Sequence, residues 1–300
     1  MRNTFQYLAK NGRVNKWAKR YGLKFGAARF VAGESLPKAI AAVQRLNQEG
    51  KLATLDHLGE FVGSEQEAKL SAEKCIQTLH AIAESGVQSN LSVKMTSLGL
   101  DIGKELCLEN MRSIVGTAMQ YGNFVRIDME DYAHCQMTLD VFRELRQDYD
   151  NVGVVIQAYL YRTVEDLQDL AKLGANLRLV KGAYRESSEV AYPEKQQVDE
   201  QYRSIIKDYL MSGNYTAIAS HDEVIINETI AFIKQQGIPD DKYEFQMLYG
   251  ISEDLQKKLV QDGYRVRIYV PYGNDWFGYF MRRLAERPAN VWFVLKNLFK

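Results

Sequence analysis

Hydrophobic and polar positions along this chain follow two alternating rhythms. Short runs of branched and aromatic residues recur about every 30 positions. They lie at 52–58 (LATLDHL), 91–95 (LSVKM), 124–129 (FVRIDM), 152–158 (VGVVIQA), 177–181 (LRLVK), 216–220 (TAIAS), 243–248 (YEFQML) and 264–270 (YRVRIYV). Runs of this length and composition, bounded by turn residues, predict strands. Between them, apolar residues return every three or four positions, the period of a helix with one buried face. Ser64-Glu65-Gln66-Glu67 reads as a capping box; Ala68, Ala72, Cys75, Ile76, Leu79 and Ile82 form the buried face, and Gly86 closes the helix. Thr163-Val164-Glu165-Asp166 starts another, with Leu167, Leu170 and Leu173 on one side and Gly174 at the stop. A third, Glu223–Gln236, ends at Gly237 with Pro239 beyond, and Ser252 opens a fourth that Gly263 closes.

Strand and helix alternating eight times predict a (β/α)₈ barrel of the TIM type. An open doubly wound sheet is the rival fold; it would show fewer strands and, as a rule, a glycine-rich first turn. Residues 1–50 precede the first strand and read as helical, most clearly over 36–46, so they predict an N-terminal arm or cap on a barrel spanning 51–300.

Composition narrows the function classes. The chain has 300 residues, 46% of them hydrophobic and 25% charged, the profile of a globular protein with ample core. Lysine plus arginine equals aspartate plus glutamate at 38 each, which gives no long-range attraction to nucleic acid. Three cysteines, Cys75, Cys107 and Cys135, form no CxxC pair, so neither a disulfide framework nor a structural zinc site is expected, and no metal. The basic N-terminus lacks the apolar stretch of a secretory signal, and no run of about 18 apolar residues occurs. A cytoplasmic protein is expected.

In barrels of this kind the chemistry lies at the C-terminal ends of the strands. There stand Asp56, His57, Glu60, Lys94, Asp128, Glu130, Gln157, Arg178, Lys181, His221, Tyr249 and Tyr269. Any one of these suits a structural ion pair. Opposite charges converging on one mouth are costly to bury, and as a set they point to a functional site. Arg282-Arg283 follow the eighth strand; adjacent helical positions lie about 100° apart, so the two can flank one anion as well as form a solvated basic pair. The chain carries neither GxGxxG nor GxxxxGK[ST], so neither a Rossmann dinucleotide site nor P-loop phosphoryl transfer is supported.

Several segments resemble one family. Arg178-Leu179-Val180-Lys181-Gly182-Ala183-Tyr184 is similar to the strand-five signature of proline dehydrogenases. Tyr269-Val270-Pro271-Tyr272-Gly273, followed by Tyr279-Phe280-Met281-Arg282-Arg283-Leu284, resembles their strand-eight and helix-eight signature. Phe245-Gln246-Met247-Leu248-Tyr249-Gly250 resembles the strand-seven motif, while Val93-Lys94 and Ile127-Asp128 fall where strands two and three should. The resemblance spans about residues 52–290.

It implies a distorted (β/α)₈ barrel whose flavin adenine dinucleotide (FAD) lies over the C-terminal mouth. The implied reaction is oxidation of L-proline to Δ1-pyrroline-5-carboxylate by hydride transfer from C5 to flavin N5, the first step of proline catabolism, with a membrane quinone as electron acceptor. By motif position Lys94, Arg282 and Arg283 would bind the proline carboxylate, with Glu60 and Glu286 offsetting the surplus charge. Asp128 would be the catalytic residue of strand three and Arg178 would act near flavin N5. Met129, Gln157, Lys181, Gly182, Ala183, Ser220 and His221 would hold the flavin, with Arg178. Tyr184, Leu248 and Tyr269 would pack on the pyrrolidine ring, Tyr269 also disfavouring hydroxyproline. Arg185 and Ser220 depart from residues that some members carry there, an aromatic and a threonine; the first puts a flavin contact in doubt. A chain of this length is expected to be monofunctional, passing its product to a separate pyrroline-5-carboxylate dehydrogenase. The apolar stretch 291–299 (VWFVLKNLF) is expected to pack on the barrel, with peripheral contact to the inner face of the membrane as the alternative.

Two other readings compete on the residues alone. A barrel aldolase or lyase would use Lys94 or Lys181 as a Schiff-base nucleophile. A non-catalytic barrel would merely bind an amino acid or a protein. Borohydride trapping separates the first, and dye reduction by proline excludes the second.

Overall fold

The computed structural model describes residues 29–286, and for Arg282 and 284–286 the backbone alone. Much of the expected arm, the apolar stretch 291–299 and the side chains of Arg282 and Glu286 therefore lie outside the described residues.

Eight parallel strands close into a barrel in sequence order: β1 (Leu52–His57), β2 (Ser89–Val93), β3 (Val125–Ile127), β4 (Val152–Gln157), β5 (Leu177–Val180), β6 (Thr216–Ala219), β7 (Tyr243–Leu248) and β8 (Val266–Tyr272). Pairing of β1 with β8, Thr54 opposite Tyr269 and Asp56 opposite Pro271, excludes the open-sheet rival. Helices run between the strands: α1 (Leu36–Gln48) before β1, then α2 (Glu65–Ser85), α3 (Lys104–Gln120), α4 (Tyr132–Leu145), α5 (Thr163–Lys172), α6 (Lys195–Met211), α7 (Glu223–Gln236) and α8 (Glu253–Gln261). After β8 comes α9 (Trp276–Glu286).

The helix punctuation follows the chemistry of free backbone groups. Gly86 and Gly237 end α2 and α7 in the left-handed conformation, at φ 66° and 64°, where a side chain is disfavoured. At the start of α2, Ser64 Oγ accepts the Glu67 N–H, but Glu67 Oε2 reaches back to the Gly63 N–H instead of completing the box on Ser64. Thr163 does not cap α5. It is the first helical residue, and its hydroxyl donates instead to the Gln157 carbonyl at 2.5 Å, tying the helix to the end of β4.

One hydrophobic cluster fills the layer between strands and helices, with Leu55, Leu91, Val125, Val154, Leu179, Ile218, Phe245 and Ile268 on its strand side. Ala39, Val43 and Leu46 of α1 belong to it, so this helix is part of the barrel's packing. A second, smaller cluster joins Trp276, Phe277, Phe280 and Met281 of α9 to Phe30, Val31 and Leu58, and Leu248 and Tyr269 pack against it. That packing seats α9 against the ends of β7 and β8. Among the described residues no helix is long and apolar enough to cross a membrane.

Candidate active site

Side chains two apart on a strand share a face. The inward series therefore run Ser92 to Lys94, Arg126 to Asp128, Glu244 to Gln246 to Leu248, and Arg267 to Tyr269. Contacts between non-adjacent strands place their polar ends inside the barrel.

Lys94, one step past β2, is buried. Its Nζ donates to both carboxylate oxygens of Asp56 on β1, at 3.1 and 3.0 Å, and stands 3.5 Å from Asp128 Oδ2 and 3.3 Å from the Tyr269 hydroxyl. Burial alone would depress this ammonium, but Asp56 and Asp128 outweigh it and hold the pKa above the usual lysine value. Asp128 is the hub. It accepts from Ser92 Oγ at 2.5 Å, Arg178 Nη1 at 2.7 Å and Tyr269 OH at 2.7 Å. Burial pushes its carboxyl up; Lys94, Arg178, Ser92 and Tyr269 more than reverse that, so it stays ionised. Tyr269 is driven well above the normal phenol value by burial and by Asp128, and acts as a neutral donor.

Arg178 reaches across the barrel. Its Nε donates to Gln246 Oε1 at 2.5 Å, its Cζ lies 5.3 Å from the centroid of the Tyr269 ring, and its buried Nη2 has no hydrogen-bond partner among the described residues. Gln157 is similar. Its Nε2 donates to the Glu130 carbonyl at 3.1 Å, while its buried Oε1 has no donor among the described residues.

Other candidates point elsewhere. Glu130 is buried and its pKa raised by that burial; its carboxylate takes the Thr96 N–H at 3.0 Å and the Thr96 hydroxyl at 2.5 Å, so it shapes the 3₁₀ turn after β2. His57 meets Tyr272 edge-on at 5.3 Å, and Glu60 acts on Lys94 through its charge. Lys181 is clamped by Asp199 Oδ1 at 2.6 Å and Asp222 Oδ2 at 3.1 Å. The Leu248 N–H donates to His221 Nε2 at 2.9 Å, which leaves the imidazole proton on Nδ1. Ser220 Oγ accepts the Asp222 N–H at 3.1 Å. Met129 is buried, while Gly182, Ala183, Tyr184, Leu248 and Tyr249 are half-buried around the mouth. Gly182 sits at φ 112°, and a Cβ there would meet the Tyr159 ring at 2.2 Å. Arg283 lies over the Tyr279 ring, its Cζ 5.1 Å from the centroid.

The strand-end rule thus finds the cluster of Asp56, Lys94, Asp128, Arg178 and Tyr269. It misses Ser92, Gln246, Glu244 and Arg267, which lie deeper on the same faces. Stepping back two residues from Lys94 and Tyr269 reaches Ser92 and Arg267, whereas the same step from Tyr249 reaches Met247 and passes over Gln246 and Glu244. It also misses Asp199 and Asp222, which come from α6 and the start of α7.

A closed parallel barrel with this mixed-charge cluster at the strand ends has the form of a TIM-type barrel enzyme. The proline dehydrogenase family model matches residues 39–296, and the chain belongs to that family. It is 51% identical over 300 residues to proline dehydrogenase 1 of Bacillus subtilis subsp. natto, covering 100% of this chain and 99% of the relative. To proline dehydrogenase of Deinococcus radiodurans it is 46% identical over 279 residues, 91% of this chain and 90% of the relative. Among solved structures it is similar to proline utilization A from Bdellovibrio bacteriovorus inactivated by N-propargylglycine, with TM-score 0.82 and 30% identity. That match covers 89% of this chain and 33% of the longer protein.

Proposed function

We propose that this protein oxidises L-proline to Δ1-pyrroline-5-carboxylate, with FAD as oxidant and a quinone as final electron acceptor. The observation that carries the reading is the Arg178 guanidinium, buried beside Lys94, Asp128 and Tyr269 with one nitrogen lacking a partner among the described residues. A buried donor left unpaired costs about 1–3 kcal/mol, so a ligand acceptor there relieves a standing penalty. Among the buried atoms without a hydrogen-bond partner in the described residues are a donor, Arg178 Nη2, and an acceptor, Gln157 Oε1, both on barrel strands. An isoalloxazine ring offers both complements, ring acceptors and an imide N–H, so the residues present fit the group.

In this reading Arg178, Met129, Gln157, Lys181, Gly182, Ala183, Ser220 and His221 hold the cofactor. FAD, when bound, supplies the two-electron acceptor for hydride leaving proline C5. Lys94, Arg282 and Arg283 bind the substrate carboxylate. Lys94 arrives fully protonated and fixed by Asp56, so it loses little entropy in binding, and orientation of this kind is worth up to roughly 7–11 kcal/mol of a barrier. Tyr184, Leu248 and Tyr269 cover the pyrrolidine ring and exclude water. Asp128 has its oxygens filled and its pKa lowered. It therefore orients Arg178 and Tyr269 and is a weak base; the amine proton passes to water.

The Schiff-base alternative needs a neutral lysine. Lys94 is held protonated by two carboxylates and Lys181 is paired with two more, so neither is prepared for carbonyl attack. Proline-dependent reduction of an artificial electron-accepting dye, with no covalent adduct after borohydride treatment with a carbonyl substrate, is the expected result. An adduct on Lys94 without dye reduction would reverse the assignment.

A further inference from the structure

We infer that Gln246 and Glu244 on β7 are positioning residues that fix the guanidinium of Arg178, so that its Nη2 faces the oxidising group while its charge stays undiminished. The inference rests on the flavin reading above.

Arg178 is gripped at two corners, Nε by Gln246 Oε1 at 2.5 Å and Nη1 by Asp128 Oδ1 at 2.7 Å. With both held, the planar group cannot turn about either bond, and Nη2 points one way. The Gln246 amide is itself oriented, because its Nε2 donates to Glu244 Oε1 at 2.5 Å, which leaves Oε1 for Arg178. Glu244 is fixed in turn by Arg267 Nε at 2.8 Å, and Arg267 Nη1 is anchored on the Ala53 carbonyl at 2.8 Å. All four side chains are buried or nearly so. A relay therefore runs from the β1 backbone through Arg267, Glu244 and Gln246 to Arg178 and Asp128.

The order of neutral and charged members matters. A carboxylate at position 246 would neutralise Arg178 and stand against Glu244. The neutral amide passes on orientation without cancelling charge, and the relay's own carboxylate lies one residue further off, balanced by Arg267. A guanidinium placed in this way stabilises negative charge gathering on an electron acceptor, and such preorganised donors are the larger part of many rate enhancements. The substrate carboxylate is gripped by other residues, so loss of the relay separates the two kinetic constants.

Gln246→Leu removes the acceptor and the donor together. It should lower kcat with proline about 10- to 100-fold, as misplacement of a reacting group by about 1 Å does, with KM changed less than about threefold. The same variant should shift the visible bands of the bound flavin and lower its midpoint potential, readouts that a loss of packing with the site intact does not move. Gln246 Nε2 and Arg267 Nε both donate to Glu244 Oε1, so an amide at position 244 can meet only one of its two neighbours. The exchange Glu244→Gln with Gln246→Glu keeps the net charge and the bond to Arg178 Nε but moves the carboxylate onto Arg178. It should recover most of the lost kcat while the potential stays below that of the parent. If Gln246→Leu does not fold, the exchange decides alone: a kcat within about tenfold of the parent together with a lowered potential supports the relay. Parental kcat, bands and potential in Gln246→Leu, or an exchange as impaired as Gln246→Leu, overturns it. A parent that binds no FAD would instead defeat the flavin reading itself.

Discussion

Asp128→Asn removes one charge from the centre of the site with almost no change of shape. Asp128 accepts from Ser92, Arg178 and Tyr269 at 2.5, 2.7 and 2.7 Å, with Lys94 at 3.5 Å. The asparagine carbonyl still serves Ser92 and Arg178, but its NH₂ faces the Tyr269 hydroxyl and the Lys94 ammonium, both donors. The Arg178 bond falls from about 1.5–3 to about 0.5–1.5 kcal/mol, and Tyr269 loses its charged acceptor. Breaking a buried charge pair from one side costs about 3–5 kcal/mol. Lys94 keeps Asp56 and Arg178 keeps Gln246, so the lower end applies, about 3 kcal/mol.

Urea unfolding of both proteins in the same flavin-free buffer measures this. The pH dependence has a definite sign. A carboxyl whose folded pKa lies below its unfolded value of about 3.9 contributes stability above that value and loses it as pH falls through the folded pKa. The gap between parent and variant should be full at pH 7 and shrink below about pH 4. A gap under about 1 kcal/mol at pH 7, or one unchanged by acid, would refute the idea that Asp128 is an ionised hub.

Other consequences are more local. Arg283→Met should raise KM for proline at least about tenfold, the value of one charge-assisted bond, with flavin still bound; unchanged proline kinetics would remove that arginine from the site. Gly182→Ala forces a β-carbon to within 2.2 Å of the Tyr159 ring at φ 112°, and should destabilise by about 1–3 kcal/mol or more in urea while weakening FAD retention; a variant of parental stability would contradict the tight packing. Burial pushes the thiols of Cys75, Cys107 and Cys135 up to about 12 each, so iodoacetamide at pH 8 should leave all three unlabelled in the native protein and label all three in urea, as read by mass spectrometry. Rapid labelling of the native protein would show one of them to be exposed.

The barrel was legible because local signals agree: branched runs of strand length, helical periodicity, and glycines such as Gly86 and Gly174 just before the next strand. Strand limits were less so. β3 forms only Val125–Ile127, although the Asp128 N–H still donates to the Val93 carbonyl at 2.9 Å. At the site, Lys94, Asp128, Arg178 and Tyr269 were found because a charged or polar group inside an apolar strand end is rare without a purpose. Gln246 and Glu244 were not, since their meaning lies in partners across the barrel, such as Gln246 with Arg178. Those pairs are set by closure of the ring and have no trace in sequence spacing. Lys181 shows the converse: a strand-end lysine whose two carboxylates come from α6 and the start of α7, visible only once the helices are packed.

The central claim is that the cluster around Asp128 and Arg178 holds proline against a bound flavin. Its most direct test is the visible spectrum of the purified protein, taken without oxygen before and after addition of L-proline. The account predicts flavin absorption that bleaches on adding proline and stays unchanged with an amino acid lacking the ring amine. A colourless protein that takes up no FAD, or a yellow one whose bands ignore proline, would contradict it.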